Sequence, residues 1–515
     1  MTSSPEMTLA SWLRERTQLT PNRRALTFEG TTWSYATFLD RVEKAASVLR
    51  DGGVRHGDRV AFLGLNHPAY FETLFGAARL GAIFVPLNFR LTGPELTYVI
   101  NDSGAHTIVA DGLHRAVIDS IRPEIPCRRF LTYENDSEIE GWESLGALVA
   151  GAPALEGWEP HDPNEVAVIM YTSGTTGSPK GAMLTHGNLF WTDIAGLLLA
   201  DTLENDVSLV CAPLFHIGGL NVTTLATWLK GGEVVLHRNF DPGKWLADVA
   251  EHGVTTTFAV PAMLLFVSMH PEFDSADLTT LRTIACGGAP VPEGLIKLYN
   301  GRGIRINQGY GLTETSPAGT FLTSEWALEK IGSAGRPPMF VEAKLVDSEK
   351  NPVTAPHVRG EMCIRGPNVM KGYWNRPQAT AEAIDPDGWF HTGDVAYRDE
   401  DGFYYIADRI KDMVITGGEN VYPAEVEGVL FEHPSVADVA VIGLPDERWG
   451  EIVVAIAVAK PGEDLSLESL RDFAGEKLAK YKMPRRLELV DVLPRNPAGK
   501  ILKFELRNQF SVHDG

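Results

Sequence analysis

VAVIMYTSGTTGSPKGAMLTHGN, residues 166–188, decides how the rest of the chain is read. An apolar run enters a segment crowded with glycine and hydroxyl side chains, passes Lys180 and reaches a helix start near Thr185. Glycines let backbone N–H groups approach an anion closely, hydroxyls add donors, and the lysine adds charge. Eleven consecutive residues, YTSGTTGSPKG at 171–181, share this character, more than an ordinary turn needs. The segment reads as a loop that grips phosphate. It is not a Walker A loop, because Pro179 precedes Lys180 and Gly181 follows it.

Upstream, helix and strand patterns alternate. Phe38, Val42, Ala45 and Leu49 share one helical face, with Ser34 as N-cap and Gly52–Gly53 as the stop. RVAFLGL (59–65) reads as a buried strand, AYFETLFGAARLG (69–81) as a helix and AIFVPL (82–87) as a strand. This alternation predicts α/β layers with much parallel sheet. Downstream of Arg409 come a turn at Gly417–Gly418, a helix opened by Pro423, and the strands VADVAVIG (436–443) and EIVVAIAVA (451–459). A helix after Ser466 and a strand at LELVDV (487–492) complete a small α+β unit.

The 515 residues suggest three folding units at about 150 residues each. With 44% hydrophobic and 22% charged residues, the chain can bury a core without a metal or disulfide staple. Cys127, Cys211, Cys286 and Cys363 lie more than seventy residues apart, which supports neither a zinc module nor a disulfide framework. Lys plus Arg number 46 against 67 Asp plus Glu, and the net charge of −21 argues against a nucleic-acid partner. The opening MTSSPEMTLASWLRERT lacks the apolar region of a signal peptide. The longest apolar run, IVVAIAVA at 452–459, is far short of the roughly 18 residues that cross a bilayer. A cytoplasmic protein without a transmembrane segment is expected. One stretch departs from the acidic background. Residues 476–503 carry eight basic side chains against three acidic ones, a net +5 that suits either a solvated face or a dock for a polyanionic cofactor.

Further motifs follow the phosphate loop in order: PLFHIGGL (213–220), GGAPVP (287–292), NQGYGLTET (307–315), WFHTGD (389–394), DRIKDMVITGGENVYP (408–423) and PRNPAGK (494–500). Together, over nearly the whole chain, they resemble the adenylate-forming enzymes, which include acyl-CoA synthetases, firefly luciferase and the adenylation domains of peptide synthetases. No Rossmann fingerprint competes, since Gly301–Arg302–Gly303 continues to Ile306, and no GxSxG elbow is present.

The resemblance implies a large N-terminal domain of layered α/β subdomains at 1–408, holding ATP and the acyl pocket. A small mobile α+β domain at 409–515 follows, with the hinge near Lys411. It implies ATP and AMP contacts at Thr172, Ser173, Gly174, Thr175, Thr176 and Lys180, at the turn Gly288, Ala289 and Pro290, and at Tyr310, Gly311, Asp394 and Arg409. Gly309 and Gly311 bracket Tyr310, so its ring can lie flat against a base, while the Asp394 carboxylate suits the two ribose hydroxyls. Thr313 offers a hydroxyl to a phosphate, and Glu314 offers a hard oxygen to Mg²⁺. With Lys500 they are the implied catalytic set, and His216 shapes the acyl pocket and thiol tunnel rather than acting as a base. The pocket candidates are His216, Gly218, Asn221, Phe258, Met263, Cys286 and Gly287, and those for the thioester step and coenzyme A are Gly418, Lys480, Lys482 and Arg486.

The implied chemistry has two halves. A carboxylate has no good leaving group, so attack on the α-phosphate of ATP first makes an acyl-adenylate and releases pyrophosphate, with Mg²⁺ and Lys500 neutralising charge. The thiol of coenzyme A then displaces AMP. An amide ligase or an acylator of an acidic carrier protein shares the first half and stays open as an alternative. Relatives that activate amino acids carry an acidic pocket residue in a Phe-Asp element, whereas PLFHIGG has His216 and two glycines, which favours a simple carboxylic acid. The glycines leave room, so a medium-chain or aryl acid is expected. A homodimer is compatible with this reading.

Overall fold

The computed structural model describes residues 7–133, 139–172, 179–200, 202–409, 412–416, 419–446, 448–475, 477–495 and 501–511. The helix expected from its apolar face spans Tyr35–Asp51, with Ser34 Oγ accepting the Thr37 N–H at 3.2 Å and Gly52 at the C-cap. Phe38, Val42, Ala45 and Leu49 are each only 1% exposed. Pro68–Arg79 is buried on every face, and its two charged side chains are paired, Glu72 with Arg41 and Arg79 with Glu43.

These helices belong to an apolar cluster that also takes residues from two eight-stranded sheets, among them Leu26 and Val234 of one and Phe62 and Val168 of the other. The first sheet runs, in spatial order, Gly372–Tyr373, Lys180–Thr185, Val166–Thr172, Ile83–Leu87, Arg59–Leu63, Thr107–Ala110, Arg129–Thr132 and Glu143–Ser144. The second runs Thr320–Leu322, Arg305–Tyr310, Thr283–Gly287, Thr256–Ala259, Val207–Val210, Glu233–Leu236, Arg24–Phe28 and Thr31–Ser34. Its six inner strands are parallel and the two edges antiparallel. Parallel strands place their carboxyl ends on one edge, where ligands of such sheets bind.

One local expectation differs. Lys180–Thr185 is a strand, antiparallel to Val166–Thr172 with Thr172 opposite Lys180, and only then does the His186–Leu199 helix begin at its Thr185 N-cap. The Gly/Ser/Thr run therefore joins two neighbouring strands rather than a strand and a helix.

The chain divides into two compact units, Met1–Ala343 with Cys363–His391, and Lys344–Met362 with Thr392–Gly515. Length alone suggested three, but the shared cluster fuses both large sheets into one core. The division also differs from the expected cut after residue 408. Within the second unit the Pro423–Phe431 helix packs on strand Tyr404–Arg409, and the Ala424 N–H donates to Asp408 Oδ2 at 2.7 Å. Glu425 pairs with Arg359 at 3.2 Å and with Lys482 at 2.5 Å, tying residues before and after 408 together. The two expected strands are present, Val436–Asp446 paired antiparallel with Gly450–Ala459. The last strand is shorter than expected, Arg486–Leu489, and leaves Val492 75% exposed. Among the described residues, no helix is long and apolar enough to cross a membrane.

Candidate active site

The motifs of the first unit collect where strands end. Thr172 closes its strand, Lys180 opens the next, and Glu314 lies in the one-turn helix Thr313–Thr315 that follows strand Arg305–Tyr310. Glu314 Oε1 accepts the Tyr373 hydroxyl at 2.9 Å and lies 3.4 Å from Thr172 Oγ1. Burial first, then the Glu314 charge, pushes the Tyr373 phenol up, so it stays a proton donor to the carboxylate. Lys180 Nζ sits 5.2 Å from the centre of the Tyr373 ring. Three segments distant in sequence thus meet at one buried carboxylate, with Lys180 over the ring of its tyrosine partner.

The turn that carries Glu314 is braced from several sides. The Met370 N–H donates to the Glu314 carbonyl at 2.8 Å, and Asn368 Nδ2 donates to the carbonyls of Thr315 at 3.0 Å and Ala318 at 2.6 Å. Gly311 is required by close approach, because a Cβ there would sit 1.3 Å from the Pro317 carbonyl oxygen. Tyr373, Asn368 and Met370 escaped the sequence reading. Their segment, NVMKGYW at 368–374, has no periodicity, and its two-residue strand pairs with Ala182–Met183 far upstream.

Gly287 ends its strand opposite Gly309, and a Cβ on Gly287 would come within 2.9 Å of the Gly309 carbonyl oxygen. Gly288, at φ +84°, then turns the chain outward so that Gly288, Ala289 and Pro290 are exposed at the same sheet edge as the half-buried Tyr310. The turn and Tyr310 thus lie at the carboxyl ends of two adjacent parallel strands. Thr313 is half-buried beside it.

At the expected acyl pocket the structure redistributes the candidates. His216 caps the Ile217–Asn221 helix without a side-chain bond, and its Nε2 is buried with no partner. Burial, assisted by the Arg90 charge, lowers its pKa to about 4. The folded-state pKa lies below the ordinary value of about 6.5, so the neutral ring is the favoured form at every pH above about 4. The imidazole carbon-bound protons of His216 are expected to show no NMR titration between pH 8 and 5. An inflection near 6.5 contradicts the buried neutral assignment.

The room expected at the glycines is filled. A Cβ on Gly218 would lie 2.9 Å from the Phe258 ring, and one on Gly219 would lie 2.3 Å from the Pro213 carbonyl oxygen. These glycines admit neighbours, not open space. Asn221 Nδ2 donates to the Ser316 carbonyl at 2.6 Å while its Oδ1 is buried without a partner. Met263 and Cys286 lie within the hydrophobic cluster around Trp245 and Leu264, and burial pushes the Cys286 thiol up to about 12.

In the second unit, Asp394 is 3% exposed and stands opposite Arg409 on paired strands. Its N–H donates to Thr392 Oγ1 at 3.1 Å, and the Gly393 N–H donates to Glu361 Oε1 at 3.1 Å, which shapes the turn before the carboxylate. Much of the basic stretch is internally neutralised: Lys477 with Glu432, Lys482 with Glu425, Arg486 with Glu488, Arg495 with Asp438 and Lys503 with Glu427, all within 2.8 Å. Lys480 is exposed. Ser173, Gly174, Thr175, Thr176, Lys411, Gly418 and Lys500 lie outside the described residues.

Residues 13–374 match the AMP-binding enzyme family and residues 425–500 the AMP-binding enzyme C-terminal domain. A feruloyl-CoA synthase from Amycolatopsis sp is 45% identical over 514 residues, covering 98% of this chain and 99% of that protein. An indoleacetate–CoA ligase from Aromatoleum aromaticum is 39% identical, covering 97% of this chain and 98% of its own length. Among solved structures, o-succinylbenzoate CoA synthetase from Bacillus subtilis in complex with its acyl-adenylate intermediate is 34% identical, with a TM-score of 0.85 over 98% of each chain.

Proposed function

The chain belongs to the AMP-binding enzymes, the adenylate-forming superfamily, and on that premise we propose that it joins an aryl acid of the cinnamate type to coenzyme A. It is an acid–thiol ligase of the acyl-CoA synthetase branch, and it uses ATP. The observation that carries the aryl reading is the full-length similarity to a protein named feruloyl-CoA synthase, at 45% identity. The neutral His216 beside Phe215 and the Phe258 ring against Gly218 support it, offering aromatic surface to the acid with the Arg90 cation close by.

In this reading the Glu314 carboxylate holds Mg²⁺, for which a hard oxygen kept in one orientation by Tyr373 and Thr172 is a fitting ligand. When bound, the ion supplies charge neutralisation at the phosphate oxygens. Thr313 donates to the α-phosphate, Lys180 meets the departing pyrophosphate, and Lys500 offsets the charge that builds on phosphorus. Gly288, Ala289 and Pro290 with Tyr310 and Gly311 flank the adenine, and Asp394 with Arg409 takes the ribose. Gly418 serves the thiol step. Lys480 faces the phosphates of coenzyme A, with Lys482 and Arg486 contributing less because Glu425 and Glu488 already neutralise them.

A panel of ferulate, octanoate and acetate, assayed for pyrophosphate release with and without coenzyme A, tests the proposal. Ferulate is expected to give the highest kcat/KM, and coenzyme A to be needed for thioester. A preference for octanoate moves the assignment to medium-chain acids. Product formed with an amine or an acidic carrier protein, and not with coenzyme A, moves it to the other acceptor class.

A further inference from the structure

Away from the nucleotide residues, two segments of the first unit, one with His56 and one with His161 and Glu165, meet over Gly81. We propose that His56, His161 and Glu165 form a binding site for a divalent transition metal of the zinc type. His56 Nε2 lies 2.9 Å from Glu165 Oε2, and His161 Nδ1 lies 3.6 Å from the same oxygen. The three donor atoms all fall within 4.8 Å of one another, and the two rings are 5.7 Å apart at 31°. Tetrahedral zinc with bonds of about 2.0–2.1 Å places its ligand atoms about 3.3–3.5 Å apart. The observed separations need only small side-chain shifts to meet that.

Two further features fit. Gly81, at φ +63°, leaves the space that both rings occupy: a Cβ there would lie 2.3 Å from His56 Cδ2 and 2.9 Å from His161 Nδ1. His161 Nε2 lies 3.5 Å from the Arg79 carbonyl oxygen. A proton on Nε2 directed at that carbonyl leaves the Nδ1 lone pair for a metal, the usual outer contact of a ligating histidine. The donor set of two imidazoles and one carboxylate selects Zn²⁺, Co²⁺ or Ni²⁺ over Mg²⁺, which takes oxygen ligands. His56 is 61% exposed at its side chain, so an ion has a path in and water can complete the coordination.

The site joins the turn after helix Tyr35–Asp51 to the segment that enters strand Val166–Thr172. Glu165 directly precedes that strand, and its carbonyl accepts the His186 N–H at 3.2 Å at the start of the next helix. An ion here is therefore a removable staple on the strand that leads to the Gly/Ser/Thr loop.

Titration of the full chain with Co²⁺, with excess Mg²⁺ present to occupy carboxylate sites, is the direct test. One equivalent is expected to bind, with visible absorption bands of low-coordinate cobalt, displacement by Zn²⁺ and a raised Tm. His56→Ala and Glu165→Gln, both at accessible side chains, are each expected to weaken binding by about tenfold or more while ligase turnover without zinc is unchanged. Cobalt affinity unaltered in both variants, or no binding below millimolar concentration, overturns the assignment.

Discussion

Glu314→Gln is expected to lower pyrophosphate release by about 10²–10³-fold, the loss typical of removing one transition-state stabiliser. The amide keeps the shape of the carboxylate and still accepts the Tyr373 hydroxyl and Thr172, so the turn at Thr313–Thr315 should hold. The negative charge is lost, and with it the attraction for Mg²⁺. Raising Mg²⁺ should restore part of the rate. Tyr373→Phe makes the complementary change, keeping the charge and removing the donor that orients it. A hydrogen bond to a charged group contributes about 1.5–3 kcal/mol, so a smaller loss, on the order of tenfold, is expected there. Near-normal pyrophosphate release from Glu314→Gln would remove this residue from the catalytic set.

Lys500→Ala is expected to abolish most adenylation yet still convert a supplied acyl-adenylate to thioester when coenzyme A is added. Adenylation needs a cation at the α-phosphate as charge builds on it, whereas thiolysis needs an open path to the acyl carbon. One arrangement of the same segment cannot serve both. Lys411→Pro is expected to do the reverse, because a fixed φ stiffens the proposed hinge and leaves the adenylate to accumulate. Single-turnover assays of the two half-reactions separate these outcomes. Equal loss of both halves in a folded Lys500→Ala variant refutes the division of labour, and full activity makes Lys500 an ordinary surface lysine.

The legible parts of the fold were those with strong local signals. The Tyr35–Asp51 helix has an apolar face, an N-cap and a glycine stop, and all three appear where the pattern put them. The strands Val436–Asp446 and Gly450–Ala459 likewise form where the apolar runs at 436–443 and 451–459 put them. The order of motifs identified the family, since glycines at a backbone approach and charges beside them are written residue by residue. Glu314 was singled out this way, and the structure places it 3.4 Å from Thr172 and on Tyr373, whose ring lies near Lys180.

What the sequence by itself determined, then, is which groups are available: a Gly/Ser/Thr run with a lysine, a carboxylate at Glu314, an aromatic between two glycines, and a basic C-terminal stretch. Tertiary structure alone decided how those groups are held and which spaces remain. Tyr373 reaches Glu314 only because a two-residue strand pairs with Ala182–Met183, a long-range choice with no local periodicity. Gly218 reads as room in one dimension, but Phe258, from a neighbouring parallel strand, fills it. The +5 of residues 476–503 is real as a sum, yet Glu425 and Glu427 on one helix and Glu432 at its C-cap neutralise Lys482, Lys503 and Lys477. Charge and volume are properties of single residues. Whether either is free to act depends on neighbours that only folding supplies.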